Sequence, residues 1–180
     1  MNLLATWKIG AIAAGFVISL PCRANEFEGI DGPYVRYMRL EDGSRSVFIR
    51  SPDNRTLTKK RFSANGVLTM LTTYKMDANG NPLSCKIRDG QNQELFKVSY
   101  GYHKVTGLLV EELMFDSRVK RINKDTGKEM PVQKVAYLYD AEGKRSAPIN
   151  FNLLPGKTFE QVFGVKSSAL DKNPFKNGEH

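Results

Sequence analysis

The sequence has few of the residue types that build metal sites or nucleophilic active sites. Its 180 residues include two cysteines, Cys22 and Cys85, and two histidines, His103 and His180. The sequence has no close cysteine pair, no His-x₃-His spacing and no Asp-rich calcium loop, so it predicts no metal and no cofactor. A lone histidine in a turn, such as His103, is usually solvated. We therefore expect no catalytic residues, and an enzyme of unknown reaction centred on His103 is a second alternative.

The sequence also lacks an uncharged run long enough to span a bilayer. Residues 9–20 are uncharged, which is short of the roughly 20 apolar residues that a transmembrane helix needs. Lys8 precedes this run and a polar segment ending at Ala24 follows it, which is the layout of a secretory signal peptide. We predict a signal peptide over 1–24, with Cys22 and Ala24 at the −3 and −1 positions of the cleavage site. The protein is then periplasmic or extracellular.

Two alternatives to cleavage are a membrane anchor and lipidation of Cys22, which would make the protein an outer-membrane lipoprotein. The resemblance to a lipobox is loose, because Pro21 stands where that motif has a small residue. Cleavage leaves Cys85 as the sole cysteine and so excludes an intramolecular disulfide. Cys85 alternates with Leu83 and Ile87 on an apolar strand face, which predicts a buried thiol; an intermolecular bridge is the alternative.

Positive charge is in excess. Lys8 and Arg23 are the only charged residues of 1–24, so cleavage would lower the net charge from +8 to +6. A net positive charge favours anionic partners, here anionic glycan or lipid headgroups, and nucleic acid is not expected. The other explanation of the charge is that it simply keeps the protein soluble. The candidate anionic-surface site is a basic run: Arg118, Lys120, Arg121, Lys124 and Lys128. A shorter basic run occupies 55–61.

The basic run from 118 to 128 has two interpretations. Arg118, Lys120, Ile122 and Lys124 would share one face of a strand predicted over 118–123, where they could grip an anionic polymer. Alternatively, the lysines keep a solvated edge strand from aggregating.

Alternating apolar and polar residues, interrupted by turn residues, predict β-strands through most of the chain. In the central hairpin, Met70, Tyr74 and Met76 share one strand face, and the residues 77–82 favour a tight turn in which Gly80 takes a positive φ. Short connections join antiparallel neighbours, so the fold class is all-β, an antiparallel meander of about 8–10 strands, strongly twisted or curled into an open barrel or ribbon. Strands are predicted near 34–40, 46–51, 56–62, 67–76, 83–88, 94–102, 108–116, 118–123, 132–139 and 145–153.

The sequence contains one helix candidate, 158–163, where Thr158 and Gln161 resemble a capping box. We predict a single β domain over 25–163 and a flexible C-terminal tail over 164–180. Bulky residues on both sides of 108–115 also predict that the central strands are covered on both faces.

Tyrosines fall repeatedly on the predicted strands. Candidates for aromatic contact with a ligand such as a sugar are Tyr100, Tyr102, Tyr137 and Tyr139. Core packing is the other use of aromatic residues at strand spacing.

The turn at Tyr137–Arg145, with Asp140 and Gly143, resembles the Tyr-Asp repeat of a family of large secreted bacterial proteins. The segment 74–81 is similar, and 113–118 is a degenerate copy without the glycine. The resemblance implies long antiparallel β-ribbons and provides no catalytic residues to transfer.

Taken together, these features predict an exported, non-catalytic binding, scaffolding or assembly protein of the bacterial cell envelope. Its expected partners are an envelope protein, anionic glycan or lipid headgroups, and self-association is a further expectation. The leading alternative is a periplasmic carrier of lipid or another apolar ligand in a half-closed sheet. A carrier should have a cavity between the sheet and the C-terminal segment.

Overall fold

The computed structural model describes residues 31–170 and 173–175. Each strand pairs antiparallel with the next, so the strand order in space equals the order in the chain, and the sheet is not closed into a barrel. The all-β meander is therefore confirmed. Among the described residues the strands are β1 (Val35–Arg39), β2 (Arg45–Arg50), β3 (Thr56–Phe62), β4 (Leu68–Met76), β5 (Pro82–Asp89), β6 (Glu94–Tyr102), β7 (Leu109–Asp116), β8 (Gln133–Ala136) and β9 (Ile149–Asn152), followed by the helix α1 (Phe159–Phe163).

The predicted signal peptide over 1–24, including Cys22, lies outside the described residues. Within 31–170 and 173–175, no helix is both long and apolar enough to cross a membrane.

The turn between β4 and β5 follows from its side-chain chemistry. The Asp77 carboxylate accepts hydrogen bonds from the backbone N–H groups of Asn79 and Asn81 at 2.8 and 2.7 Å. Gly80 has a φ of 75°, which confirms the predicted positive φ. A similar turn separates β8 from β9, where Asp140 accepts from the Lys144 N–H at 2.7 Å. This turn chemistry accounts for the Tyr-Asp-like segments, and kinship with that family stays a prediction.

The prediction of a strand over 118–123 is wrong. Asp116 accepts hydrogen bonds from both the backbone N–H and the guanidinium of Arg118, each at 2.9 Å, and this turns the chain away from the sheet as β7 ends. The Asn123 side chain then accepts from the N–H of Asp125 at 2.8 Å and closes a second turn. Residues 117–132 therefore form a long connection between β7 and β8, with one isolated bridge from Ile122 to Glu129.

The sheet has a core face, on which the buried apolar side chains lie, and an outer face. The core is centred on β4–β7: Met70, Tyr74, Cys85, Ile87, Phe96, Val98, Tyr100 and Met114. The C-terminal segment 158–175 covers it, and Phe159 of α1 is 1% exposed with its ring centroid 6.1 Å from that of Phe96. The predicted capping box is confirmed, because Thr158 and Gln161 each accept from the other's backbone N–H.

Three details differ from the sequence prediction. The central strands are buried on the core face, whereas Leu113 and Phe115 on the outer face of β7 are half-buried, so the described chain covers that face only in part, and its covering by a partner stays a prediction. Leu83, predicted to join Cys85 in the core, is 49% exposed near the start of β5. Val165 and Leu170 pack against the core, which the sequence did not predict; the flexibility of 164–180 stays a prediction.

Candidate functional site

Strand register arranges cationic and hydroxyl side chains in three rows on the outer face. The middle row crosses β3 to β7 as Thr58, Thr73, Lys86, Lys97 and Phe115. One flanking row contains Lys60, Leu71 and Arg88, and the other contains Lys75, Ser84, Ser99, Leu113 and Lys134. Rows two residues apart are separated by about 7 Å, and the five strand spacings from β3 to β8 cover about 24 Å. We call this surface, with its six cations, the basic outer face.

The centre of the basic outer face holds two like charges in direct opposition. Lys86 on β5 faces Lys97 on β6, and like charges at such positions destabilise a sheet. Glu94 partly compensates, since its carboxylate lies 3.4 Å from the Lys86 ammonium and 3.8 Å from the Arg88 guanidinium. Partial burial alone would raise the pKa of Glu94, but the Ser117 hydroxyl and the Lys86 ammonium hold this pKa below its ordinary value.

A second acidic residue, Glu111, neutralises the far edge of the basic outer face. Its carboxylate lies 2.9 Å from the Lys134 ammonium. Both side chains are partly solvated, so this pair contributes little to folding. With two acidic against six cationic side chains, the basic outer face keeps a net positive charge, and Lys75 and Lys86 are exposed.

The structure does not bring the predicted basic run together on a strand face. Arg118 is bound to Asp116, and its guanidinium lies 5.1 Å from the centre of the Phe96 ring. Hydrogen bonding by Arg118 holds the pKa of Asp116 below its ordinary value. Arg121 donates to the carbonyl of Pro155 at 2.9 Å. Lys120, Lys124 and Lys128 are exposed on the 117–132 connection, where their role in anion binding stays a prediction.

The four tyrosines predicted to contact a ligand use their hydroxyls inside the protein. Tyr102 donates to the carbonyl of Pro82 at 2.6 Å and Tyr139 to that of Leu109 at 2.7 Å. Tyr100 donates to the carbonyl of Ser168, and Tyr137 to the carboxylate of Glu112. Burial raises the pKa of Tyr100, Tyr102 and Tyr137. These contacts agree with the core-packing alternative.

Glu112 is the polar residue of the core that sequence reasoning missed. Its side chain is fully buried on β7 and accepts from the hydroxyls of Ser167 at 2.5 Å and Ser168 at 2.6 Å, as well as from Tyr137. The sequence did contain a signal for this network, because alternation places Glu112 on the same strand face as Met114. A carboxylate at such a core position requires buried hydrogen-bond donors. The network attaches the C-terminal segment to the sheet.

Cys85 lies beside this network, and its predicted burial is confirmed. The thiol is 3% exposed, and its sulfur lies 3.2 Å from the Tyr100 hydroxyl oxygen. Burial raises the pKa of Cys85 from 9.0 to about 12. The thiol therefore stays protonated at neutral pH and is a poor nucleophile.

His103 lies in an exposed turn between β6 and β7. Its Nδ1 is 3.1 Å from the Thr106 hydroxyl and 3.2 Å from the Thr106 backbone nitrogen. In the part of the chain that the structure describes, no three His, Cys, Asp or Glu side chains cluster as metal ligands.

Among the clefts between the sheet and the C-terminal segment, two adjoin each other. The first, about 230 Å³, is bounded by Lys59 and Thr72 of the sheet and by the segment 165–169. The second, about 460 Å³, is bounded by Phe62 of the sheet and Phe163 of α1. Arg61 and Met70 line both clefts.

No protein-family model matches this chain, and a search of curated proteins finds no match either.

Proposed function

We propose that this chain is an exported, non-catalytic binding protein of the bacterial envelope whose basic outer face binds an anionic polysaccharide. The observation that carries the proposal is the direct opposition of Lys86 and Lys97, flanked by Lys75 and Arg88, on a face that the C-terminal segment does not cover. Opposed lysines weaken a sheet, and an anion bound between them would remove the repulsion. The part of the proposal that concerns export is based on the signal peptide predicted over 1–24.

The hydroxyls among the lysines favour a polysaccharide over a lipid surface. Thr58, Thr73, Ser84 and Ser99 lie in the same rows as the cations and can bond to sugar hydroxyls. Within the three rows the apolar side chains, such as Leu113 and Phe115, are half-buried, and the exposed apolar side chains Ile149 and Phe151 lie at the β9 edge of this face, beyond the cations of the middle row. Rows about 7 Å apart would let an extended chain contact several strands at once.

The test measures binding of residues 25–180 to polygalacturonate, with neutral dextran as the uncharged comparison. Lys75→Gln, Lys86→Gln and Lys97→Gln are combined in one variant. We expect affinity to fall about tenfold or more, since each exposed ion pair contributes up to about 1 kcal/mol. Affinity of the unmodified protein should also fall as salt rises, because exposed charges are screened beyond about 8 Å at physiological ionic strength.

The matched control removes three exposed lysines from the 117–132 connection: Lys120→Gln, Lys124→Gln and Lys128→Gln. It should bind polygalacturonate as the unmodified protein does. A loss confined to this control would support the basic run identified in the sequence and refute the outer-face site. Equal losses in both variants would mean that net charge alone governs binding. Stronger binding to anionic lipid vesicles than to polygalacturonate would assign the surface to headgroups and overturn the polysaccharide proposal.

A further inference from the structure

A further cleft lies where the β2–β3 and β4–β5 turns meet residues 173–175, and we call it the turn cleft. Its volume is about 180 Å³, and it is bounded by Arg50 of β2, by Asn54 and Asn79 of the two turns, and by Phe175. Pockets that enclose drug-sized molecules are larger, about 300–1,000 Å³. The turn cleft therefore suits a smaller ligand.

Arg50 is the cation of the turn cleft, and its internal contacts do not neutralise it. Its Nη2 donates to the carbonyl of Pro33 at 2.7 Å, and its Cζ lies 4.7 Å from the centre of the Phe175 ring and 5.8 Å from that of Tyr34. Carbonyls and aromatic rings attract a cation without carrying a net negative charge. Within the described chain, no carboxylate forms an ion pair with Arg50, and its buried Nε has no hydrogen-bond partner. An anion in the turn cleft could provide the missing acceptor.

The rest of the lining provides neutral hydrogen-bonding groups and apolar walls. The side-chain amides of Asn54 and Asn79 make no hydrogen bond to any other described residue, so both are available to a ligand. Leu57 and Met76 are buried and line the cleft on the core face of the sheet. Of the described residues that line the turn cleft, none is acidic.

These groups define the chemistry of the ligand. A single cation favours a single negative charge, and the planar fork of an arginine matches the two oxygens of a carboxylate. Each amide both donates and accepts hydrogen bonds, which suits hydroxyl groups close to that carboxylate. We propose that the turn cleft binds a small monocarboxylate that carries hydroxyl groups, of the sugar-acid class, with its carboxylate at Arg50 and its hydroxyls at Asn54 and Asn79.

The turn cleft is separate from the basic outer face. Side chains alternate along a strand, so Arg50 shares the core face with the buried Phe48, two residues earlier on β2. Arg50 also pairs with Leu57, which is buried on the same face of β3. The proposal therefore does not depend on the polysaccharide site.

Calorimetric titration of the purified protein with glucuronate tests the site. Glucose is the comparison without the charge, and acetate is the comparison without the hydroxyls. Glucuronate should bind and raise the melting temperature, whereas glucose and acetate should bind at least tenfold more weakly. Glucose or acetate binding as tightly as glucuronate would overturn the proposal, as would the absence of glucuronate binding. Tighter binding of inorganic phosphate than of glucuronate would overturn the assignment to a carboxylate.

Variants of the turn cleft test its residues. Arg50→Gln should weaken glucuronate binding about tenfold or more, whereas the matched control Arg55→Gln removes the same charge from an exposed position of the β2–β3 turn and should bind normally. Asn54→Gly removes an amide at a φ of 58°, which glycine adopts without strain, so this variant should keep the fold and still bind more weakly, even if Arg50→Gln fails to fold. Unchanged binding in Asn54→Gly or in folded Arg50→Gln, or an equal loss in Arg55→Gln, would refute the site.

Crossing the variants separates the two proposals. The outer-face variant with Lys75→Gln, Lys86→Gln and Lys97→Gln should bind glucuronate normally, and Arg50→Gln should bind polygalacturonate normally. Loss of glucuronate binding in the outer-face variant alone would place this ligand on the basic outer face and overturn the turn-cleft proposal. Failure of polygalacturonate to bind would overturn only the polysaccharide proposal.

Discussion

The hydroxyl of Ser168 donates a hydrogen bond to the buried carboxylate of Glu112 at 2.6 Å, joining the C-terminal segment to a strand 56 residues earlier in the chain. The carbonyl of Ser168 in turn accepts from the hydroxyls of Tyr74 at 3.0 Å and Tyr100 at 3.2 Å. A helix as short as α1 is not stable alone. The covering of the core face therefore depends on these bonds and on the packing of Phe159.

Replacing Ser168 should loosen this attachment. Ser168→Ala should lower the free energy of unfolding by about 1–3 kcal/mol, because the buried Glu112 carboxylate loses a donor. The matched control is Ser146→Ala, at an exposed loop position, which should change stability by less than about 0.5 kcal/mol. Urea denaturation measures both. Equal effects of the two substitutions would contradict the importance of the Glu112 network.

The turn between β4 and β5 should not tolerate a β-branched residue at Gly80. Gly80→Val should cost about 1–3 kcal/mol through backbone strain at its positive φ. Crowding adds little, since an added Cβ would lie 3.8 Å from the Asn173 side chain. Lys75→Thr, on the exposed side of β4, should be nearly neutral. Thermal melts that ranked Lys75→Thr as the more damaging change would contradict the hairpin assignment.

The Cys85 thiol should make stability fall at alkaline pH. Because burial raises the folded-state pKa from 9.0 to about 12, the unfolded chain loses its thiol proton first. The contribution of the protonated thiol to the free energy of unfolding is therefore fully present below about pH 9. It is lost as pH rises towards 12, at about 1.4 kcal/mol per pH unit above the unfolded pKa.

Urea denaturation midpoints at pH 7 and pH 10 test this loss of stability. Between the two pH values, the midpoint of the Cys85→Ala variant should fall less than that of the unmodified protein. A thiol reagent should also modify folded residues 25–180 far more slowly than the urea-unfolded chain. Rapid modification of the folded protein would show that the thiol is accessible.

Export should remove residues 1–24. N-terminal sequencing of the exported protein should give Asn25 as the first residue, because the uncharged run 9–20 is too short to anchor the chain. A diacylglyceryl group on Cys22, or retention of Met1 in the membrane fraction, would replace cleavage with one of the two anchored alternatives.

Local chemistry allowed much of the fold to be predicted. Alternation along 67–76 and 94–102 identified strands, and Asp77 with Gly80 identified the turn that makes neighbours antiparallel. These features depend on residues close together in sequence, and so the sequence determines them directly. The predicted strand at 118–123 failed for a local reason too, because the Asp116–Arg118 contact competes with continued pairing.

The sites depended on residues far apart in the chain. Alternation predicts that a strand has two different faces, but it does not specify which segment covers one of them. The partners of Glu112 lie just after β8 and in the C-terminal segment, and the charges of Lys86 and Lys97 oppose each other only through strand register. The sequence by itself determined the strands, the turns and the excess of positive charge. Tertiary structure decided where those charges meet, because the C-terminal segment removes the core face from water and leaves the outer face exposed.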